Sequence, residues 1–236
     1  MHRRTLLEGL LALAATCGCT GTATAKSPAR GCRRAAAGVG GEDRPTVLKS
    51  SGDNVTDLLV RAHSDTAYFG VHPGFVFIDD GSAPNAYADP QLWVPDKPDG
   101  TVLLGVKFLA EVRRQQQDQT TFYNENSFFI VLHEMAHILQ FKRGMARRTD
   151  WQMEPHADFL AGWAYARGSP KAEPWVRDNL ELGVRLMFSL GDTAFNDPQH
   201  HGQPEFRAAM VRAGYDSADL ELDAAFERGM KYAGLR

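Results

Sequence analysis

His133-Glu134-x-x-His137 lies in the run VLHEMAHILQF, Val131 to Phe141. On a helix, residues four apart project from one face, one turn above the other. Two imidazoles so placed can grip one Zn2+ at about 2.0–2.1 Å each. Glu134 points toward the same cleft and can reach a water on the metal, the general-base role that this motif supplies on a helix. The alternative is two helix-face histidines bonded to neighbours, with Glu134 solvated.

A catalytic cation needs a third protein ligand and an open position. EPHADFLAG, Glu154 to Gly162, offers candidates. Glu154 and Asp158 are again four apart. One carboxylate can bind the metal while the other accepts the free N–H of a ligating imidazole and fixes its tautomer. His156, between them, is the rival third ligand. Pro155 disfavours helical backbone at the residue before it, which predicts that Glu154 stands at a helix start. Read without the histidine pair, the segment is an acidic first turn favoured by the helix dipole.

HEMAH followed by E-x-x-A-D resembles the gluzincin class of zinc metallopeptidases. The wider set of HEMAHILQ, EPHADFLAGWA, SLGD and HGQPEFRAAMVRAGY is similar to the bacterial neutral zinc metallopeptidases. In those the second segment usually reads ELQAD-x-x-AG and the last H-G-S-x-E-Q-R. Asn85-Ala86-Tyr87-Ala88 resembles the Asn-Ala-Phe/Tyr-Ala stretch ahead of the site helix in some relatives. The likeness runs in islands from Asn85 to Tyr215. It implies His133, His137 and Glu154 as ligands of Zn2+, Glu134 as the base, Asp158 as the partner of a ligating imidazole, and a peptide or protein as substrate. His200 and His201 open the last island. A distal donor could hold the oxyanion of a tetrahedral intermediate, and His201 is the candidate. The alternative is a structural loop that pins the C-terminal helices to the site helix, with Arg207 in an internal ion pair. His63 and His72 read as ordinary.

The elements that must position these groups follow from periodicity. Phe128, Leu132, Met135 and Leu139 recur at helical spacing and mark one buried face. Thr121 or Asn124 is the candidate cap and Gly144 the stop. Further helices are expected near 151–167, 173–190, 204–213 and 217–232. Short strands are expected in Ala67 to Asp79 and in Thr101 to Phe108. Residues 80–100, with four prolines, read as an irregular loop. Strands first and helices after predict an α+β domain with a small N-terminal strand region and a mainly helical half, and the resemblance implies that this domain is zincin-like. In zincins an extended substrate often pairs with an edge strand beside the site helix, and Thr101 to Phe108 is the candidate for that strand.

With 236 residues, one domain and a leader fit the chain. A net charge of −3 and no basic block beyond the N-terminus argue against nucleic acid. No apolar run approaches the ~20 residues of a membrane span. Residues 1–25 read as an export signal ending at Ala23-Thr24-Ala25, and Arg3-Arg4-Thr5-Leu6-Leu7 resembles a twin-arginine signal for folded cargo. Lipid attachment at Cys17 or Cys19 is the alternative. Residues 26–44 read as a flexible linker and 45–236 as the domain. Cleavage would leave Cys32 alone, so neither a disulfide nor a cysteine-based zinc site is expected. The reading is an exported, periplasmic or secreted, zinc-dependent peptidase. The alternative is a zinc-binding envelope module or chaperone without catalysis.

Overall fold

The computed structural model describes residues 33–34, 46–50, 57, 60, 67–81, 84–117, 125–145, 150–169, 173–191 and 202–235. The leader, most of the linker, the three cysteines, His63, His200, His201 and the cap candidates Thr121 and Asn124 lie outside the described residues.

Among the described residues the fold is α+β and mostly helical. Five strands, β1 (Arg33–Arg34), β2 (Thr46–Leu48), β3 (Gly74–Asp79), β4 (Ala86–Asp89) and β5 (Thr101–Gly105), form one sheet in the order β1-β4-β5-β3-β2. Six helices follow: α1 (Val106–Gln117), α2 (Glu125–Lys142), α3 (Asp150–Gly168), α4 (Pro174–Leu190), α5 (Pro204–Tyr215) and α6 (Leu222–Tyr232).

Four expectations are corrected, and one strand falls in the stretch read as linker. The β-favouring run from Thr101 does not continue to Phe108. Asp80 accepts the backbone N–H groups of Lys107 and Phe108 at 3.0 and 2.9 Å and so caps α1 from a distant point of the chain. Nor is β5 an edge. It pairs in parallel with β3 and antiparallel with β4, so both its sides are taken and it cannot accept an extended peptide. Residues 80–100 are not wholly irregular, because β4 lies within them. Arg33–Arg34, from the stretch read as linker, pairs in parallel with Tyr87 and Ala88 on the other side of β4.

The fourth correction concerns Pro155. It sits inside α3, and Glu154 is therefore within the helix rather than at its start. Proline one turn into a helix forfeits a single backbone bond beyond those the first turn lacks anyway. Burial of the surrounding segment, Met153 to Ala166, outweighs that loss.

Helix α2 has no solvent face along most of its length. Phe129 to Gln140 is buried without interruption, whereas the periodicity predicted a single apolar stripe. Phe128, expected in that stripe, is half-buried. The sheet, α1, α3 and α4 all pack on α2. Helices α3 and α5 touch most closely, and two glycines explain how. A Cβ at Gly162 would fall 2.0 Å from the Val211 carbonyl oxygen, and one at Gly214 would fall 1.8 Å from that of Phe159. Only glycine fits at either position, and the close approach carries Arg207 of α5 to the polar face of α3.

Candidate metal centre

Most polar residues of α2 lie inside the fold, and His133, His137 and Gln140 each meet a group from α3. His133, Glu134, His137 and Gln140 are all 0% exposed. Helical spacing stacks the two imidazoles, and their rings stand edge to face at 90° with centroids 4.6 Å apart. From α3, Glu154 reaches both: its Oε2 lies 3.2 Å from His133 Nε2 and its Oε1 lies 3.3 Å from His137 Nε2. The two Nε2 atoms are 3.1 Å apart. These three residues form a buried group that could hold a metal ion.

Asp158, one turn beyond Glu154 on the same face of α3, has its Oδ1 2.9 Å from His133 Nδ1. A carboxylate can only accept, so in the neutral ring Nδ1 carries the proton and Nε2 keeps its lone pair. His137 is oriented likewise by Gln140, whose Oε1 lies 2.7 Å from His137 Nδ1. Both lone pairs then face one another and the Glu154 carboxylate. That arrangement is repulsive unless a metal ion or an added proton lies among these atoms.

The electrostatics express the same demand. Burial alone would push the His133 imidazole down, but hydrogen bonding and charge from Asp158 and Glu154 overturn it and bring the ring up to about 10. Burial favours neutral Glu154, yet the charge of His137, the hydrogen bonds from both imidazoles and the Arg207 charge hold it well below the usual carboxylate range. Asp158 is held down against burial by Arg207 first and His133 second. Arg207 itself is wholly buried. Its Nε and Nη2 donate to the two oxygens of Asp158 at 2.7 and 2.9 Å, and Nη2 also lies 3.2 Å from Glu154 Oε2. Such a fork-to-fork pair is rigid as well as strong. The expected internal ion pair of Arg207 is therefore present, and it fixes both carboxylates.

His156 does not join the cluster, contrary to its standing as a rival third ligand. Its Nδ1 lies 2.9 Å from Gln140 Nε2, and its Nε2 lies 3.1 Å from the Phe226 carbonyl oxygen, so both ring nitrogens are engaged elsewhere. Burial, with the charges of His137 and Arg143, pushes its ring down to about 4 and keeps it neutral. His72 is not part of the cluster, and its backbone N–H donates to Asp99 at 2.7 Å.

Sequence reasoning gave Gln140 no role. Its position three residues after His137, on the same helical face, was the available signal.

No protein-family model matches the chain, and no curated protein or solved structure does.

Proposed function

We propose that this protein is a zinc-dependent peptidase of zincin-like fold, exported by the signal at its N-terminus. The observation that carries the reading is the spacing of the donor atoms that three residues bring together. Bonds of about 2.0–2.1 Å at tetrahedral angles put ligand atoms about 3.3 Å from one another. The His133 and His137 Nε2 atoms stand 3.1 Å apart, and each has one Glu154 oxygen, Oε2 and Oε1 respectively, at 3.2 and 3.3 Å, so two imidazoles and one carboxylate converge at the separations such an ion requires. Two imidazoles and one carboxylate are also the donor set of catalytic rather than structural zinc.

A zinc ion held there would supply Lewis acidity, acidifying water and polarising a carbonyl oxygen. This chain's residues do the remainder. Glu134, next to His133 on α2, takes the proton of the attacking water and hands it to the departing amine nitrogen. Asp158 keeps the His133 ring in the tautomer that presents Nε2. Arg207 keeps Asp158 and Glu154 ionised in a site that water does not screen. His201 is proposed as a donor to the oxyanion.

A second reading has its own observation. His133, Glu134 and His137 are 0% exposed and Glu154 is 1% exposed, and closed sites are characteristic of structural zinc. On that reading the protein is a zinc-binding module without catalysis. One comparison decides between them. Wild type and Glu134→Gln are purified without chelators and assayed for bound zinc and for cleavage of a casein-type substrate. The peptidase reading requires zinc in both and cleavage by the wild type alone. Zinc in both with no cleavage by either supports the module.

A further inference from the structure

We infer that Gln140 and His156 are positioning residues for His137, linked in a hydrogen-bonded chain that ends on helix α6. The inference rests on the metal-site reading above and extends it beyond the ligands. Two backbone carbonyls fix every proton in the chain, because a carbonyl oxygen can only accept.

Gln140 has a nitrogen and an oxygen that must be told apart by their partners. Its Nε2 lies 2.9 Å from the Met153 carbonyl oxygen, and only the amide nitrogen can donate there. The other side-chain atom, which faces His137 Nδ1 at 2.7 Å, is therefore the oxygen. An oxygen there obliges His137 Nδ1 to carry the proton, and the neutral ring then presents an unprotonated Nε2 to the cluster. The second hydrogen of the Gln140 amide points to His156 Nδ1 at 2.9 Å, which must accept it. His156 Nε2 is left to donate to the Phe226 carbonyl oxygen at 3.1 Å. Each donor meets an acceptor, and no member can reverse without setting like groups against each other.

The seat of His156 is equally constrained. Its ring stands edge to face against Phe226, with centroids 4.6 Å apart. A Cβ at Gly229 would fall 2.7 Å from His156 Cδ2, so α6 needs a glycine where the ring lies on it. Arg143, at the end of α2, stacks over the other aromatic partner, Phe226, at 4.5 Å and ties α6 to α2. His133 thus takes its orientation from a carboxylate on α3, while His137 takes its own from an amide, a histidine and the backbone of α6.

The test uses the full chain in two measurements. Zinc affinity is read by competition with a chromogenic chelator for wild type, Gln140→Met and Gln140→Glu. Loss of such a partner typically costs 10–100-fold in metal affinity. Gln140→Met is expected to fall in that range. Gln140→Glu, which still accepts from His137 Nδ1–H and, protonated on its other oxygen, donates to the Met153 carbonyl, is expected to stay within a few-fold of wild type. Equal losses in both variants, or none in Gln140→Met, overturn the positioning role. Separately, long-range proton–nitrogen spectra of metal-free, histidine-labelled wild type are expected to show His156 with its proton on Nε2. A proton on Nδ1 overturns the chain. A wild type that takes up no zinc overturns the peptidase reading instead, and the His156 tautomer still decides the chain.

Discussion

Arg207 and Asp158 meet as a bidentate pair, 2.7 and 2.9 Å, with both side chains at 0% exposure. Removing one member of such a pair leaves a bare charge in the interior, at a cost of about 3–5 kcal/mol. Arg207→Met is expected to lose that much in urea unfolding. Adding Asp158→Asn should recover part of the loss, because the orphaned charge goes with it. A double variant no more stable than Arg207→Met would show that the pair is not what makes the guanidinium matter.

Zinc removal should be visible as lost stability. A ligand at a thousand times its dissociation constant contributes about 4.1 kcal/mol. For a domain of this size that is on the order of 10 °C in Tm. A strong chelator should lower the wild-type melting temperature by that order and leave His137→Ala and Glu154→Ala unmoved. A chelator shift that survives in both variants would place the metal elsewhere.

Glu125, in the first turn of α2, gives the fold a pH dependence apart from the metal. Burial pushes its carboxyl up to about 7, against the lowering effect of the Asn179 amide, which donates to it at 3.0 Å. The unfolded chain releases this proton near 4.5 and the folded chain only near 7. The folded state therefore holds more protons at this group between those values, and the Glu125 contribution to stability is full below pH 4.5 and falls as pH rises toward 7. The fall is roughly 3 kcal/mol at most. Glu125→Gln should flatten that part of the profile in urea unfolding at stepped pH.

Gly214 should be intolerant of the smallest addition. Its missing Cβ would lie 1.8 Å from the Phe159 carbonyl oxygen, and backbone on both sides cannot yield cheaply. Gly214→Ala should cost about 1–3 kcal/mol. It should also weaken zinc binding, because moving α5 from α3 moves Arg207. Lost stability with unchanged zinc affinity would show that Arg207 tolerates the shift.

What could be read in the chain beforehand was whatever four-residue spacing encodes. His133 with His137, and Glu154 with Asp158, each share a face by helical geometry alone, and each pair does so in the structure. The choice of Glu154 over His156 was less accessible, since it depends on where the Phe226 carbonyl of α6 lies. Gln140 escaped notice because two of its three partners, the Met153 carbonyl and His156, come from α3. The run after Thr101 was misread beyond Gly105 because Val106 and Phe108 favour strands, while the carboxylate that turns them into a helix is Asp80, far back in the sequence. Burial on every side of α2 was equally hidden, as period alone reports one stripe and not how many neighbours surround it.

The reach of α5 and α6 into the centre sets an order of events during biogenesis. A nascent chain that has emerged only through α3 already owns both imidazoles and both acids, yet it lacks the guanidinium of residue 207 and the carbonyl of residue 226 that steady them. On the metal-site reading, tight capture waits until synthesis is complete and the last two helices have docked, which makes the finished protein, and not a translating intermediate, the species that would load an ion.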